Sequence, residues 1–231
     1  MTGPETIEWA MFPLETAMLP NQDLPLRIFE PRYGALVRHC LESGEPFGVV
    51  LISRGREVGG GDSRSDVGVL ARITECVEQG SGRYLLRCRT GERIRVCEWL
   101  PDDPYPRATV QIWPDEPGDP VTGAQLLEVG DRVMALFERI AEARGVELPD
   151  RDVVLGYDEA KTEDEAKTED EAKTEDEAKT EDALLILASR LPIGTADRYA
   201  VLSAPSAADR LTALSEAVDA VAEMVEFQLS E

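Results

Sequence analysis

The chain of 231 residues predicts an α+β fold, with a small, partly closed β-barrel in its first half and helices in its second. Three observations carry this. Residues 9–113 break into many short apolar runs at close spacing, with one early stretch of helical periodicity. Residues 114–123, PDEPGDPVTG, form a linker rich in Pro, Gly and Asp. Beyond it, apolar residues recur at helical spacing. The expected domains are therefore 1–118, the β domain, and 119–231, a helical subdomain.

In order, residues 9–14 and 17–19 read as short strands broken by Pro13. Leu24, Leu26 and Ile28 alternate with Pro25 and Arg27, the period of a half-buried strand. Phe29 follows, and Glu30-Pro31 opens a helix, because proline suits the first helical position, where the amide has no helical partner. Leu36, Val37, Cys40 and Leu41 then fall on one helical stripe, and Gly44 stops it. Residues 47–52 form a continuous apolar run of strand length. Residues 54–66 read as a loop around Gly59-Gly60-Gly61, which lacks the strand-glycine-helix context and the GK[ST] of a phosphate cradle.

Val67, Val69, Ala71 and Ile73 alternate as the next strand, and Tyr84, Leu86 and Cys88 share a face of the one after it. Thr90-Gly91-Glu92 reads as a turn, with Ile94 and Val96 inward on the return strand. That hairpin would set Arg89 opposite Arg93 and Arg87 opposite Arg95, like charges that repel unless neutralised. Either the four arginines form an anion-binding patch, or neighbouring carboxylates pair with them; the abundance of acids favours the second. Ala108, Val110 and Ile112 make a last strand, closed by Trp113-Pro114.

In the second half, Leu126, Leu127, Val133, Leu136, Phe137 and Ile140 define an amphipathic helix ending near Gly145. Residues 197–204 form a short helix, and Ser206 stands where its hydroxyl can cap the last one. Leu211, Leu214, Val218, Val221 and Val225 keep an apolar stripe, read as internal packing of a small helical bundle. Between them lie four copies of EAKTED, residues 159–182. Alanine is the repeat's only apolar residue, so it cannot bury a face and is expected to be solvated. Three extra copies add 18 residues, about five helical turns or roughly 27 Å of rise. Such an insertion keeps the following ALLILA face in phase with what precedes it.

The chain is 42% hydrophobic with a net charge of −22. Residues 158–182 hold thirteen acids and four lysines, so this segment carries 9 of the 22 negative charges. No basic surface for phosphate neutralisation is evident, which argues against nucleic-acid binding. The N-terminus has no basic start followed by an apolar run, and the longest aliphatic run is far too short to span a bilayer. A cytosolic protein with no membrane partner is expected. Cys40, Cys76, Cys88 and Cys97 sit singly in apolar patterns and read as reduced, small hydrophobes. One histidine, His39, gives metal or proton-relay chemistry little to build on. No metal, cofactor or catalytic residue is expected. All four lysines lie in the repeat, so neither domain holds a P-loop lysine or a Ser-Lys dyad. Nothing resembles a nucleophile elbow, and the paired Asp102-Asp103 read as loop residues.

The string LPLRIFEPRY, residues 24–33, with FPLETAMLP before it and FGVVLI after it, resembles the N-terminal substrate-binding domain of Lon-type proteases. VGVLARITE, GERIRV and PYPRATVQIW add to the resemblance, which covers residues 9 to about 116; PSAADRLTALSEAV is loosely similar to the helices that end that module. The resemblance implies a pseudo-barrel like that of PUA domains. It also implies a stand-alone, non-enzymatic binding module without ATPase or protease parts, which recognises polypeptide segments or a protein partner. An apolar groove or an exposed strand edge would be the physical means. Phe29, Glu30, Pro31, Arg32 and Tyr33 are its motif residues, read as structural, while the groove residues stay unnamed. The alternative is a regulatory module that takes a small molecule or anion in the PUA-like pocket or on Arg87, Arg89, Arg93 and Arg95.

Overall fold

The computed structural model describes residues 6–54, 63–155 and 183–229. Chain contacts divide at Pro114 into two compact units. The first holds β1 (Ile7–Leu14), β2 (Asp23–Ile28), α1 (Pro31–Ser43), β3 (Phe47–Arg54), β4 (Ser63–Glu78), β5 (Tyr84–Leu100) and β6 (Arg107–Ile112). The strands form one sheet in the order β2-β5-β4-β3-β1-β6, and β6 also pairs with β5. The sheet therefore closes on itself through five strands, with β2 attached outside the ring along β5. Only β1 and β3 pair in parallel among the described ladders; the others are antiparallel.

Closure buries an apolar interior. Met11, Val50, Leu70, Ile94, Val96, Ala108 and Val110 pack together, with Trp9 and Trp99 against them. Gly68 permits the close approach of β4 to β3, since a Cβ there would lie 2.1 Å from the Val49 carbonyl oxygen. Helix α1 begins with Pro31 at its first turn and ends on Gly44 at φ 73°, whose N–H donates to the Cys40 carbonyl. It buries Tyr33, Leu36, Val37 and Cys40. Leu41, expected on the same stripe, is half exposed.

Several expectations change. Pro13 does not break β1: it stands opposite Val50 of β3, beyond the residues Ile7–Ala10 that pair with β6. That stretch of β1 has a neighbour on one side, where a missing N–H is tolerated. Residues 17–19 form no strand, although Ala17 and Leu19 are buried; their alternation records burial without a ladder. The expected loop 54–66 is shorter, because Arg54 ends β3 and Ser63 begins β4; the triple glycine lies outside the described residues.

The largest correction concerns Thr90-Gly91-Glu92. There is no turn, and β5 runs unbroken through it. Ala71 stands opposite Thr90 and Val69 opposite Arg93, so β5 carries one extra residue as a bulge at Gly91 and Glu92. Thr90 itself is buried, and segment 19–22 binds it as a strand would: the Asn21 N–H donates to the Thr90 carbonyl at 3.1 Å and the Thr90 N–H to the Gln22 carbonyl at 2.9 Å. The true reversal between β4 and β5 is Gly80-Ser81-Gly82, all at positive φ.

The second unit holds α2 (Gly123–Arg144), α3 (Arg151–Leu155), a helical segment at 183–190 (α4), α5 (Thr195–Ser203) and α6 (Ala207–Leu229). A capping box starts α2: the Gln125 N–H donates to Thr122 Oγ1 while the Thr122 N–H donates to the Gln125 side chain. Ser206 Oγ accepts from the Asp209 N–H at 3.2 Å at the start of α6. The α6 stripe of Leu211, Leu214, Val218, Val221 and Val225 is buried within its own unit, where α6 packs against α2 and α5. Segment 115–118 belongs here: Asp115 pairs with the fully buried Arg210, and the Glu116 N–H donates to the Pro205 carbonyl. The contact boundary thus lies four residues before the expected 118/119. The EAKTED copies lie outside the described residues.

Candidate functional site

The strand-to-helix junction lines a groove of about 370 Å³ in the first unit. One wall is the end of β1 and the chain after it, with Phe12, Leu14, Thr16 and Met18; the other is β2, Leu24 to Ile28, continuing into Phe29, Glu30 and Tyr33. Each wall has a local cause. Met11 still donates its N–H to the Pro106 carbonyl at 2.8 Å; beyond it β1 has left β6 and pairs with β3 alone among the described strands. Strand β2 is terminal in the sheet order and hydrogen-bonds β5 alone among the described strands. The groove therefore runs along a free strand edge, with Pro25 reducing the donors available to chance pairing.

Aromatic rings set the floor. Phe12 and Tyr33 are both buried with ring centroids 4.3 Å apart, and Phe47 backs Phe12 at 6.2 Å. Phe29 is different: it is 57% exposed at the lip. Thr90 holds the outer loop from behind. Its hydroxyl donates to the Leu19 carbonyl at 2.7 Å and accepts from the Gln22 N–H at 2.7 Å, which anchors the segment between Met18 and β2.

Of the five motif residues, Phe29, Glu30 and Tyr33 line the groove, while Pro31 and Arg32 do not. Pro31 starts α1, and Glu30 is its N-cap residue by backbone conformation, without a side-chain cap bond. The Arg32 Nε donates to the Glu30 carboxylate at 3.0 Å, and the guanidinium lies 4.5 Å over the Tyr33 ring. Asp102 draws Arg32 and Arg64 together at 4.0 and 3.5 Å.

The four β5 arginines do not converge. Arg87 and Arg95 lie eight residues apart on one continuous strand, about 26 Å. Arg87 meets Glu75 at 3.7 Å, and Arg89 meets Asp23 at 3.0 Å. Arg93, buried, and Arg95 stack on the Trp113 ring at 4.6 and 3.8 Å. The expected face-to-face arginines depended on the turn that is absent.

Cys40 and Cys88 are buried as packing groups, whereas Cys76 is partly buried and Cys97, expected in an apolar pattern, is exposed. Burial pushes Cys40 up to about 12, aided by Glu45, and pushes Cys88 to about the same value, aided by Cys40 and Cys76. His39 stands 3.4 Å from Glu45 on the exposed side of α1. Among the described residues, no helix is long and apolar enough to cross a membrane, and no three His, Cys, Asp or Glu residues are placed to hold a metal ion.

The sequence marked the strand-to-helix junction as a motif read as structural, and named neither wall of the groove. Phe12, Leu14, Thr16 and Met18 reach the groove because β1 parts from β6, a pairing that no local pattern records.

Residues 8–220 match the family model of the ATP-dependent protease La (LON) substrate-binding domain. A LON peptidase N-terminal domain and RING finger protein of Schizosaccharomyces pombe is 27% identical over 119 residues, 46% of this chain and 24% of that protein. The chain thus spans about a quarter of that relative's length. Among solved structures, a Lon N-terminal domain protein from Xanthomonas campestris aligns with a TM-score of 0.60 at 23% identity, covering 91% of this chain and 98% of the other. The N-terminal domain of Mycobacterium avium complex Lon protease aligns with a TM-score of 0.56 at 15% identity, covering 92% and 98%. At these identities the two structures speak for the fold.

Proposed function

We propose that this chain, which belongs to the ATP-dependent protease La (LON) substrate-binding domain family, is a non-enzymatic module that holds extended polypeptide segments in the groove between the end of β1 and the free edge of β2. The observation that carries this is the conjunction of a groove of about 370 Å³, lined by apolar side chains together with Thr16, Arg27 and Glu30, with an unpaired strand edge and an exposed Phe29 at its lip. Such a volume is at the small end for ligand sites. It suits one or two apolar side chains of a longer segment, while the backbone of β2 supplies the remaining hydrogen bonds. The ring of five strands is read as the PUA-type pseudo-barrel of that family, a rigid frame for the groove. The cytosol fits as the compartment because Cys40 and Cys88 serve as buried, reduced packing groups.

The test is fluorescence anisotropy of a labelled unfolded polypeptide, titrated with the full chain at low and high salt. Saturable binding that survives salt is expected, because apolar burial is not screened. Phe29→Ser is expected to weaken binding several-fold while leaving the urea midpoint in place, since an exposed side chain contributes little to folding. Binding that vanishes in salt, or no binding at all, would overturn the groove reading. The rival reading, an anion site on Arg87, Arg89, Arg93 and Arg95, is not favoured, because Arg87 and Arg89 meet Glu75 and Asp23 while Arg93 and Arg95 stack on Trp113 further along β5.

A further inference from the structure

The far side of β2 differs from the groove. Ladder registers place Asp23, Arg89 and Arg72 in one row across β2, β5 and β4, and Pro25, Arg87 and Glu75 in the next. Arg27, Leu85 and Val77 form the third. All but Leu85 are exposed. Four guanidinium groups therefore meet two carboxylates on this face, a local excess of positive charge on a chain of net charge −22. Asp23 engages Arg89 and Glu75 engages Arg87, both with exposed partners, and Arg72 reaches the Gly44 carbonyl at 3.4 Å. The Arg27 guanidinium meets no carboxylate among the described residues, and Arg27 also lines the groove.

From these two faces of one strand, we propose that the groove selects extended segments of a partner protein in which apolar and acidic residues alternate. The inference rests on the polypeptide-binding reading and adds the class of segment. A segment laid along the free edge of β2 becomes the next strand, about 4.8 Å away, and its successive side chains point to opposite sides. One set enters the groove toward Phe12, Leu14, Met18 and Tyr33. The other set lands beside Pro25 and Arg27, with Arg87 one strand further, about 10 Å at Cα, a gap that an arginine and a glutamate span between them. A carboxylate there gains the Arg27 partner and adds to the field of Arg87 and Arg89. A lysine in the same place meets like charge. Because the two faces alternate residue by residue, the phase of the segment matters as much as its composition.

The test uses four short fluorescein-labelled peptides with the full chain at low salt: alternating Leu/Glu, alternating Leu/Gln, alternating Leu/Lys, and a peptide of the first composition in blocks of two. The Leu/Glu peptide is expected to bind about tenfold more tightly than Leu/Gln, with the block and Leu/Lys peptides weaker still. In the Arg27→Gln Arg87→Gln variant the ratio of Leu/Glu to Leu/Gln affinity is expected to fall to about one, whatever the change in Leu/Gln affinity itself. Equal binding of Leu/Glu and Leu/Gln by the unaltered chain would overturn the acidic preference and leave the groove standing. A gap that persists in the variant would place the discrimination elsewhere and overturn it too. Binding of none of the four would remove the groove reading and this inference with it.

Discussion

Thr90→Val isolates the contact that replaces the expected turn and fixes one wall of the groove. The substitution keeps the β-branched shape and removes the hydroxyl. In the unaltered protein Thr90 is 1% exposed, so water cannot take its place. Its oxygen donates to the Leu19 carbonyl and accepts from the Gln22 N–H, each at 2.7 Å. Valine leaves one backbone acceptor and one backbone donor without partners, at about 1–3 kcal/mol each. Gln22 is half-buried, and its amide recovers part of this by rehydration, so a net loss of about 2–3 kcal/mol is expected. For a unit of this size that lowers Tm by roughly 8–12 °C. The assay is urea unfolding followed by tryptophan fluorescence, with an unchanged m-value expected. Peptide affinity should fall as well at temperatures where the protein is folded, because Met18 of the groove wall adjoins the released segment. Thr90→Ser keeps the hydroxyl and should lose less than half as much. A Thr90→Val protein within about 0.5 kcal/mol of the parent, or a serine variant equally damaged, would refute the clamp.

Asp115→Ala should cost about 3–5 kcal/mol, since it strands the fully buried Arg210 charge, whereas Asp115→Leu with Arg210→Met should recover most of that loss; urea denaturation followed by far-ultraviolet circular dichroism measures both. Alkaline pH should destabilise the first unit. The buried Cys40 and Cys88 thiols hold their protons up to about 12, while the same thiols in the unfolded chain release them near 9, so stability present below pH 9 falls by up to about 1.4 kcal/mol per pH unit for each thiol between those values. The Cys40→Ala Cys88→Ala variant should show a shallower fall of urea midpoint with pH, and parallel curves would refute this. Deleting residues 165–182, three whole copies of the repeat, should leave Tm nearly unchanged by calorimetry, because alanine is the repeat's only apolar residue and offers little to bury; a large drop would show that the repeat carries stability.

Much of this protein is written in local pattern. Strand β2, the proline-led start of α1, its glycine stop and the buried stripe of α6 follow from periodicity and from the backbone limits of Pro and Gly, which act over a few residues and are read directly from order. The family motif LPLRIFEPRY likewise marked the strand-to-helix junction, without naming a groove residue. Other features needed partners distant in the chain. Thr90-Gly91-Glu92 has the composition of a turn, yet Thr90 is bound by Leu19 and Gln22, some seventy residues away, and the glycine serves a bulge in a 17-residue strand. That single difference separated the four arginines and removed the expected anion patch. Pro13 reads as a break, yet it sits where β1 has a neighbour on one side. The opposite wall of the groove exists because β1 parts from β6 while β2 keeps an open edge. Ring closure, edge exposure and burial of a charge such as Arg210 are properties of which surfaces meet. Short-range propensity fixes the shape of each element, and only the packed structure decides which edges remain free to bind.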